Sequence, residues 1–104
     1  MDVLFIDKRI SRFIAGLDKP TIAKVLHVIE LLEHFGHALR MPHSKQIGHS
    51  LYELRVRGRV DIRLIYTFRS GDAIVLHTFI KKSERLHQKD LRAAYKAMRE
   101  LDNT

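Results

Sequence analysis

The chain has 104 residues, of which 45% are hydrophobic and 30% are charged, a mixture typical of one small globular domain. Lysine and arginine outnumber aspartate and glutamate by 19 to 12, and the net charge of +7 indicates a polyanionic partner: nucleic acid, the ribosome, membrane phospholipid or an acidic protein. There is no cysteine, which excludes disulfides, thiolate metal sites and a cysteine nucleophile, and no apolar run reaches the roughly 20 residues that cross a bilayer. We therefore expect a single domain, residues 1–104, in the cytoplasm.

The first third of the sequence predicts a strand followed by two helices. Residues 2–6, DVLFI, form a short strand, and Asp7 caps a helix that runs to about residue 17. A second helix opens at residues 18–20 and ends at Gly36, because glycine is a natural helix terminator. These two helices form an antiparallel hairpin. The apolar stripe of the second helix consists of Ile22, Val25, Leu26, Ile29 and Leu32.

From residue 51 onward, alternating apolar residues predict strands. Segments 51–57 and 60–69 each have one apolar face, whereas 73–80, AIVLHTFI, is apolar on both faces, as in a central strand. Residues 37–50 follow neither period and are expected to form a loop, and 88–101 return to helical spacing. The expected fold is therefore α+β, in the order β-α-α-β-β-β-α, with an antiparallel sheet packed on an N-terminal helical hairpin and followed by a C-terminal helix.

The polar face of the predicted strand pair is rich in arginine. Arg55 and Arg57 lie on the first strand, and Arg63 and Arg69 lie on the second. Like charges on neighbouring strands repel one another, so they lower stability unless carboxylates neutralise them or an anion occupies the site. Either this face is a solvated surface that keeps the protein soluble, or it binds phosphate, whose oxygens match the planar guanidinium fork. We favour the phosphate-binding interpretation.

Three motifs on successive predicted strands carry a resemblance to a known family. They are LYELRV at 51–56, IRLIY at 62–66 and LHTFIKKSE at 76–84, followed by a final helix that contains alanine. In order and spacing, nearly the whole chain resembles the RelE/HigB toxins of type II toxin–antitoxin systems, especially their phage-derived branch. The resemblance implies a metal-independent endoribonuclease without a cofactor, which cleaves mRNA in the ribosomal A site. It also implies a cognate antitoxin, of the helix-turn-helix HigA-like type, and no membrane partner.

The chemistry of such a site requires fixed cations and proton carriers. RNA cleavage without a metal uses the 2′-hydroxyl as nucleophile, so the protein must stabilise the negative charge that develops on the phosphate. Arg55 and Arg63, on adjacent strands, can hold the phosphate from two sides. Lys81 or Lys82 can act as general acid or base, because neighbouring arginines lower the pKa of a lysine. We favour Lys81, which shares a face with Phe79 and His77 if the strand continues to it.

Several other candidates have two interpretations. Tyr66 matches the IY ending of the family motif, which implies a catalytic role, but it also shares a row with core residues. His77 and Phe79 fit either core packing or RNA contact. Glu53 is either a structural partner of the arginines, which we favour, or a catalytic base. The predicted RNA-binding residues are Arg57, Arg69, His77, Phe79, Arg92 and Lys96.

The sequence also departs from the family pattern. Family members often carry a catalytic tyrosine near the C-terminus, whereas the last tyrosine here, Tyr95, lies in the apolar stripe of a helix. Lys45 is the one lysine in the loop before the second strand, where the family uses lysines, and it is a candidate second proton carrier. His34 and His37 lack a well-spaced carboxylate, so no metal site is expected.

Two alternatives to nuclease activity stay open. One is a toxin of the same fold that binds and inhibits DNA gyrase, as ParE relatives do. The other is a non-catalytic nucleic-acid-binding module, because arginines that bind phosphate do not by themselves cleave it.

Overall fold

The computed structural model describes residues 1–85 and 87–103, which form a five-stranded sheet with helices on both faces. A helical hairpin precedes three consecutive strands and a final helix, so the predicted α+β element order is confirmed. The elements are β1 (Val3–Phe5), α1 (Lys8–Ala15), α2 (Lys19–Phe35), a 3-10 turn (Gly36–Ala38), β2 (Ser44–Gly48), β3 (Leu51–Val56), β4 (Ile62–Arg69), β5 (Asp72–Ile80) and α3 (Gln88–Asp102).

The strands lie in the order β1-β5-β4-β3-β2. The meander β3-β4-β5 is antiparallel throughout, as predicted, but β1 pairs with β5 in parallel, so the sheet is mixed. The prediction of a loop over residues 37–50 is wrong in part, because Ser44–Gly48 forms an antiparallel edge strand on β3. Only Ser44 of β2 is buried, and the register of β2 against β3 shifts after Gln46. The sequence of β2 therefore shows no clear alternation of apolar and polar residues.

Local signals explain the ends of the first two helices. The carboxylate of Asp7 accepts a hydrogen bond from the Arg9 amide at 2.8 Å, and that of Asp18 accepts one from the Thr21 amide at 2.9 Å, so both act as N-caps. Gly36 ends α2 with a φ of 53°, a left-handed conformation that suits glycine.

The predicted apolar stripe of α2 is wrong at one position. Leu26 is 48% exposed, whereas Val28 is buried together with Val25, Ile29 and Leu32. The sequence offers both Leu26 and Val28 as apolar residues, and only the packing of α2 against β3 selects between them.

The sheet separates two hydrophobic clusters. The larger cluster joins the helical hairpin to one face of the sheet, through residues such as Val25, Leu32, Leu54 and Leu64. The smaller cluster lies between α3 and one end of the other face. This smaller cluster contains Leu51, Ile65, Ile74, Leu76, Ala94 and Ala97. Beyond it, the same face of the sheet carries charged side chains. Among the described residues, no helix is both long enough and apolar enough to span a membrane.

Candidate functional site

The strand register brings the central arginines together. Arg55 on β3 lies directly opposite Arg63 on β4, and Arg63 lies opposite Phe79 on β5, so all three side chains share the face that α3 partly covers. The amide of Lys81 donates a 2.8 Å hydrogen bond to the Asp61 carbonyl, which extends the pairing beyond the end of β5. The prediction that Arg55 and Arg63 face the same side is therefore confirmed.

Arg55, Arg63 and Lys81 line a cleft of about 440 Å³ at the end of the sheet, which we call the basic cleft. Five cationic side chains and only two carboxylates line it, so the field inside it is strongly positive. Its lining consists of Arg55, Arg57, Asp61, Arg63, Lys81, Lys82, Ser83 and Glu84.

Arg63 lies deepest in this cluster of charges. It is only 2% exposed, and its Nε and Nη1 atoms are buried without a hydrogen-bond partner. Burial lowers the pKa of the guanidinium and the nearby Glu53 carboxylate opposes that shift, but arginine stays charged in proteins at neutral pH. A buried cation with unpaired donors is costly, and a bound anion could offset that cost.

Glu53 is the carboxylate that partly neutralises the arginines. It is 2% exposed and accepts a 3.1 Å hydrogen bond from Arg55 Nε, while Arg63 Nε lies 3.9 Å from the same oxygen, Oε1. One carboxylate therefore serves two guanidinium groups and leaves one positive charge in excess. This geometry agrees with a structural role for Glu53, because its side chain lies between two guanidinium groups and contacts both.

His77 contacts an acidic residue that the sequence did not indicate as functional. His77 Nε2 lies 2.8 Å from Oδ1 of Asp90, which is 6% exposed in the first turn of α3, and the His77 ring stacks on Phe79 with centroids 5.8 Å apart. In the strand register His77 lies opposite Ile65, on the same face as Arg63. An aspartate in the first turn of a helix is common for electrostatic reasons, so the sequence gives no signal that Asp90 is buried.

Three of the predicted RNA-binding residues lie away from the basic cleft. Arg69 occupies the opposite end of β4, where its Nε and Nη2 donate to Asp102 at 2.9 and 3.1 Å, and these bonds raise its pKa. Arg92 and Lys96 are exposed on α3. The basic cleft therefore contains only Arg57 of the four predicted RNA-binding cations.

Tyr66 and Lys45 also lie outside the basic cleft. Tyr66 is 1% exposed on the hairpin face of the sheet, and its hydroxyl lies 2.5 Å from Ser44 Oγ. Burial raises the pKa of this phenol, although the hydrogen bond with Ser44 opposes the shift. Lys45 is exposed on the edge strand β2. Both residues line a second cavity of about 530 Å³.

His34 and His37 each pack against an aromatic ring. His34 packs edge-on against Phe35, and the ring of His37 stacks on Phe68 with centroids 3.9 Å apart. Within residues 1–85 and 87–103, there is no group of three or more histidine, aspartate or glutamate side chains that could hold a metal ion.

The fold and the basic cleft define a small α+β protein with a cationic cleft on one face of its sheet. Residues 12–99 match the family described as phage derived protein Gp49-like (DUF891). The chain therefore belongs to this family, which is a RelE/HigB-like, toxin-type family. Comparison with curated proteins gave no match.

Proposed function

We propose that this protein is the toxin of a type II toxin–antitoxin pair of RelE/HigB type, and that it cleaves mRNA on the ribosome without a metal. The observation that carries the proposal is Arg63, a buried cation with two unpaired nitrogen donors that lines a cleft with four other cations. The scissile phosphate is the anion that would neutralise this positive charge. The Gp49-like family supports the toxin assignment.

The cleft residues divide into charge stabilisers and proton carriers. The 2′-oxygen attacks phosphorus and the bond to the 5′-oxygen breaks, which leaves a 2′,3′-cyclic phosphate and a free 5′-hydroxyl. Arg55 and Arg63 stabilise the extra negative charge of the transition state, since a guanidinium keeps its proton throughout. Lys81 and Lys82, which line the same cleft, are left to accept the 2′-hydroxyl proton and to protonate the leaving 5′-oxygen.

The proposed partners follow from the toxin assignment. Translating ribosomes would supply the mRNA, and a cognate antitoxin of helix-turn-helix type would bind the toxin in the cytoplasm. The positive field of the basic cleft suits both an RNA strand and acidic side chains of an inhibitor.

The proposal can be tested by cell-free translation of a reporter message, with primer extension to locate new RNA ends. We expect cuts that require translating ribosomes and that fall at least about 100-fold in Arg63→Met, since removal of one charge-stabilising donor costs that much in other enzymes. Arg69→Met is the matched control, because it removes an arginine from the same strand outside the cleft. It should cleave within about twofold of the original protein.

Two other results would overturn the nuclease proposal. Intact message together with inhibition of DNA supercoiling by gyrase would assign the protein to the ParE-like class. Intact message that nevertheless binds the protein, with binding that weakens in Arg63→Met, would show a non-catalytic RNA-binding module.

A further inference from the structure

We propose that the second cavity binds an unpaired nucleotide, with its base against aromatic side chains and its phosphate on Arg40 and Lys45. We call this cavity the aromatic pocket. It lies between the 3-10 turn, β2 and the hairpin face of β3 and β4, and it is distinct from the basic cleft. Its lining consists of Gly36, His37, Leu39, Arg40, Met41, Ser44, Lys45, Gln46, Tyr52, Tyr66 and Phe68.

The walls of the aromatic pocket are suited to a planar ring. Tyr52 and Tyr66 stack with centroids 5.5 Å apart, and Phe68 packs edge-on against Tyr52 at 5.1 Å. His37 stacks on Phe68 at 3.9 Å. Tyr52 and Phe68 are only half-buried, so each leaves part of its surface open to the cavity. Proteins bind unstacked nucleobases on such aromatic surfaces.

The rim of the pocket is positively charged. Arg40 and Lys45 are exposed, and no carboxylate belongs to the lining. Carbonyl oxygens of His37 and Leu39 accept hydrogen bonds from Arg40 Nη1 at 2.5 and 3.3 Å, which orients the guanidinium without neutralising it. In the part of the chain that the structure describes, neither cation forms an ion pair. Two unneutralised cations beside aromatic rings favour an aromatic ligand that carries phosphate.

The floor of the pocket offers hydrogen bonds to the edge of a base. The hydroxyls of Ser44 and Tyr66 are buried and share one hydrogen bond of 2.5 Å. Because only one of the two protons lies between them, the accepting hydroxyl keeps its own proton and can donate it to a ligand. A volume of about 530 Å³ falls within the range of small-molecule pockets, so a mononucleotide fits.

This inference goes beyond the proposed function, because the aromatic pocket and the basic cleft share no lining residue. The nucleotide has two sources with the same chemistry: a free mononucleotide, or one nucleotide of a single-stranded RNA. In the second case the strand would be held at a position away from the bond that is cut.

Amide NMR spectra can locate the ligand on the intact chain. We would titrate the protein with adenosine 5′-monophosphate, adenosine, inorganic phosphate and a single-stranded RNA hexanucleotide. The monophosphate should shift the amide signals of Ser44, Lys45 and Gln46 in a saturable way and bind more tightly than adenosine or phosphate. We expect Tyr52→Leu and Arg40→Gln each to weaken it about tenfold, from lost stacking and lost charge respectively.

Arg63→Met is the control that separates this inference from the proposed function. It alters the basic cleft and should leave nucleotide binding at the aromatic pocket unchanged, whether or not the protein cleaves RNA. Arg40→Gln replaces an exposed side chain, so this variant should stay folded. Its nucleotide affinity therefore tests the proposal even if Tyr52→Leu disturbs the core.

The choice of ligands distinguishes a free nucleotide from an RNA strand and also shows when the proposal fails. Tighter binding of the hexanucleotide than of the monophosphate indicates an RNA strand, and the reverse order indicates a free nucleotide; both results support the proposal. It is overturned if phosphate alone binds as tightly as the monophosphate, if the shifts fall only on basic-cleft residues such as Lys82, or if the pocket amides do not respond.

Discussion

Arg63 and Arg69 lie at opposite ends of the same strand, β4, and their surroundings differ completely. Arg69 is partly exposed and donates to Asp102, to Thr67 Oγ1 and to the Phe68 carbonyl. Arg63 is buried, has one carboxylate at 3.9 Å and leaves two nitrogens unpaired. The satisfied arginine anchors the C-terminal end of α3, whereas the unsatisfied one lines a cleft.

This difference teaches how to separate structural charges from candidate functional charges. Both residues follow the same alternation in the sequence, so spacing alone cannot tell them apart. The distinguishing property is whether the folded chain itself completes the hydrogen bonds of the side chain. Burial of a cation whose hydrogen bonds the folded chain does not complete is costly, so such a residue marks a candidate anion site.

The largest expected effect comes from the shared carboxylate. Glu53→Gln leaves Arg55 and Arg63 facing each other without a counter-charge, and we expect the free energy of unfolding in urea to fall by about 3 kcal/mol. Sulfate should restore part of this loss by occupying the cleft. Glu84→Gln is the matched control, because Glu84 lines the cleft but is exposed, and it should change little. Equal stability of the two variants would contradict the role of Glu53.

Removal of the unsatisfied arginine should have a smaller effect of opposite sign. Arg63→Met replaces a buried cation by an apolar side chain of similar length while Glu53 keeps its bond to Arg55. We expect the free energy of unfolding to stay constant or to rise by up to about 1 kcal/mol in the same urea titration. A loss of stability as large as that of Glu53→Gln would show that Arg63 is a structural residue, and the contrast with Arg69 would fail.

Removal of the satisfied arginine should weaken one end of α3. Arg69→Met breaks an ion pair that is partly exposed, so we expect the Tm to fall by only a few degrees. Hydrogen exchange should become faster in the last turn of α3 and stay unchanged in its first turn, where Asp90 contacts His77. Uniform faster exchange along the helix would contradict the local role of this ion pair.

The smallest expected effect is the pH dependence of stability that comes from the ion pair between Asp18 and Arg59. Asp18 accepts hydrogen bonds from Thr21 and from Arg59, and these bonds lower the pKa of its carboxyl group from 3.8 to about 2. Because the folded pKa is depressed, the stabilisation is present above pH 3.8 and is lost as the pH falls toward 2. Urea titrations over this range should show a shallower pH dependence in Asp18→Asn than in the original protein; identical slopes would contradict the assignment.

Much of the fold could be predicted from the sequence because it depends on local signals. The cap Asp7, the start of the second helix at residues 18–20, the terminator Gly36 and the alternation in β3 and β4 all coincide with the observed elements. The edge strand β2 could not be predicted, since its residues are mostly exposed and only pairing with β3 makes it a strand. The parallel placement of β1 beside β5 likewise depends on how the helical hairpin crosses the sheet.

The candidate site could be predicted only in part. Alternation places Arg55 and Arg63 on one face, and the register extends that face to Phe79. The same alternation puts Tyr66 on the opposite face. Only the family motif grouped Tyr66 with Arg55 and Arg63 as catalytic candidates. The contact between His77 and Asp90 depends on the docking of α3, which no spacing within the sequence reveals.

The two hydrophobic clusters have a consequence for how such a protein can evolve. The helical hairpin and the larger cluster hold the strands together from one side, while the basic cleft occupies the other side. Side chains of the cleft can therefore change over generations while the apolar layer on the opposite face of the sheet is inherited intact.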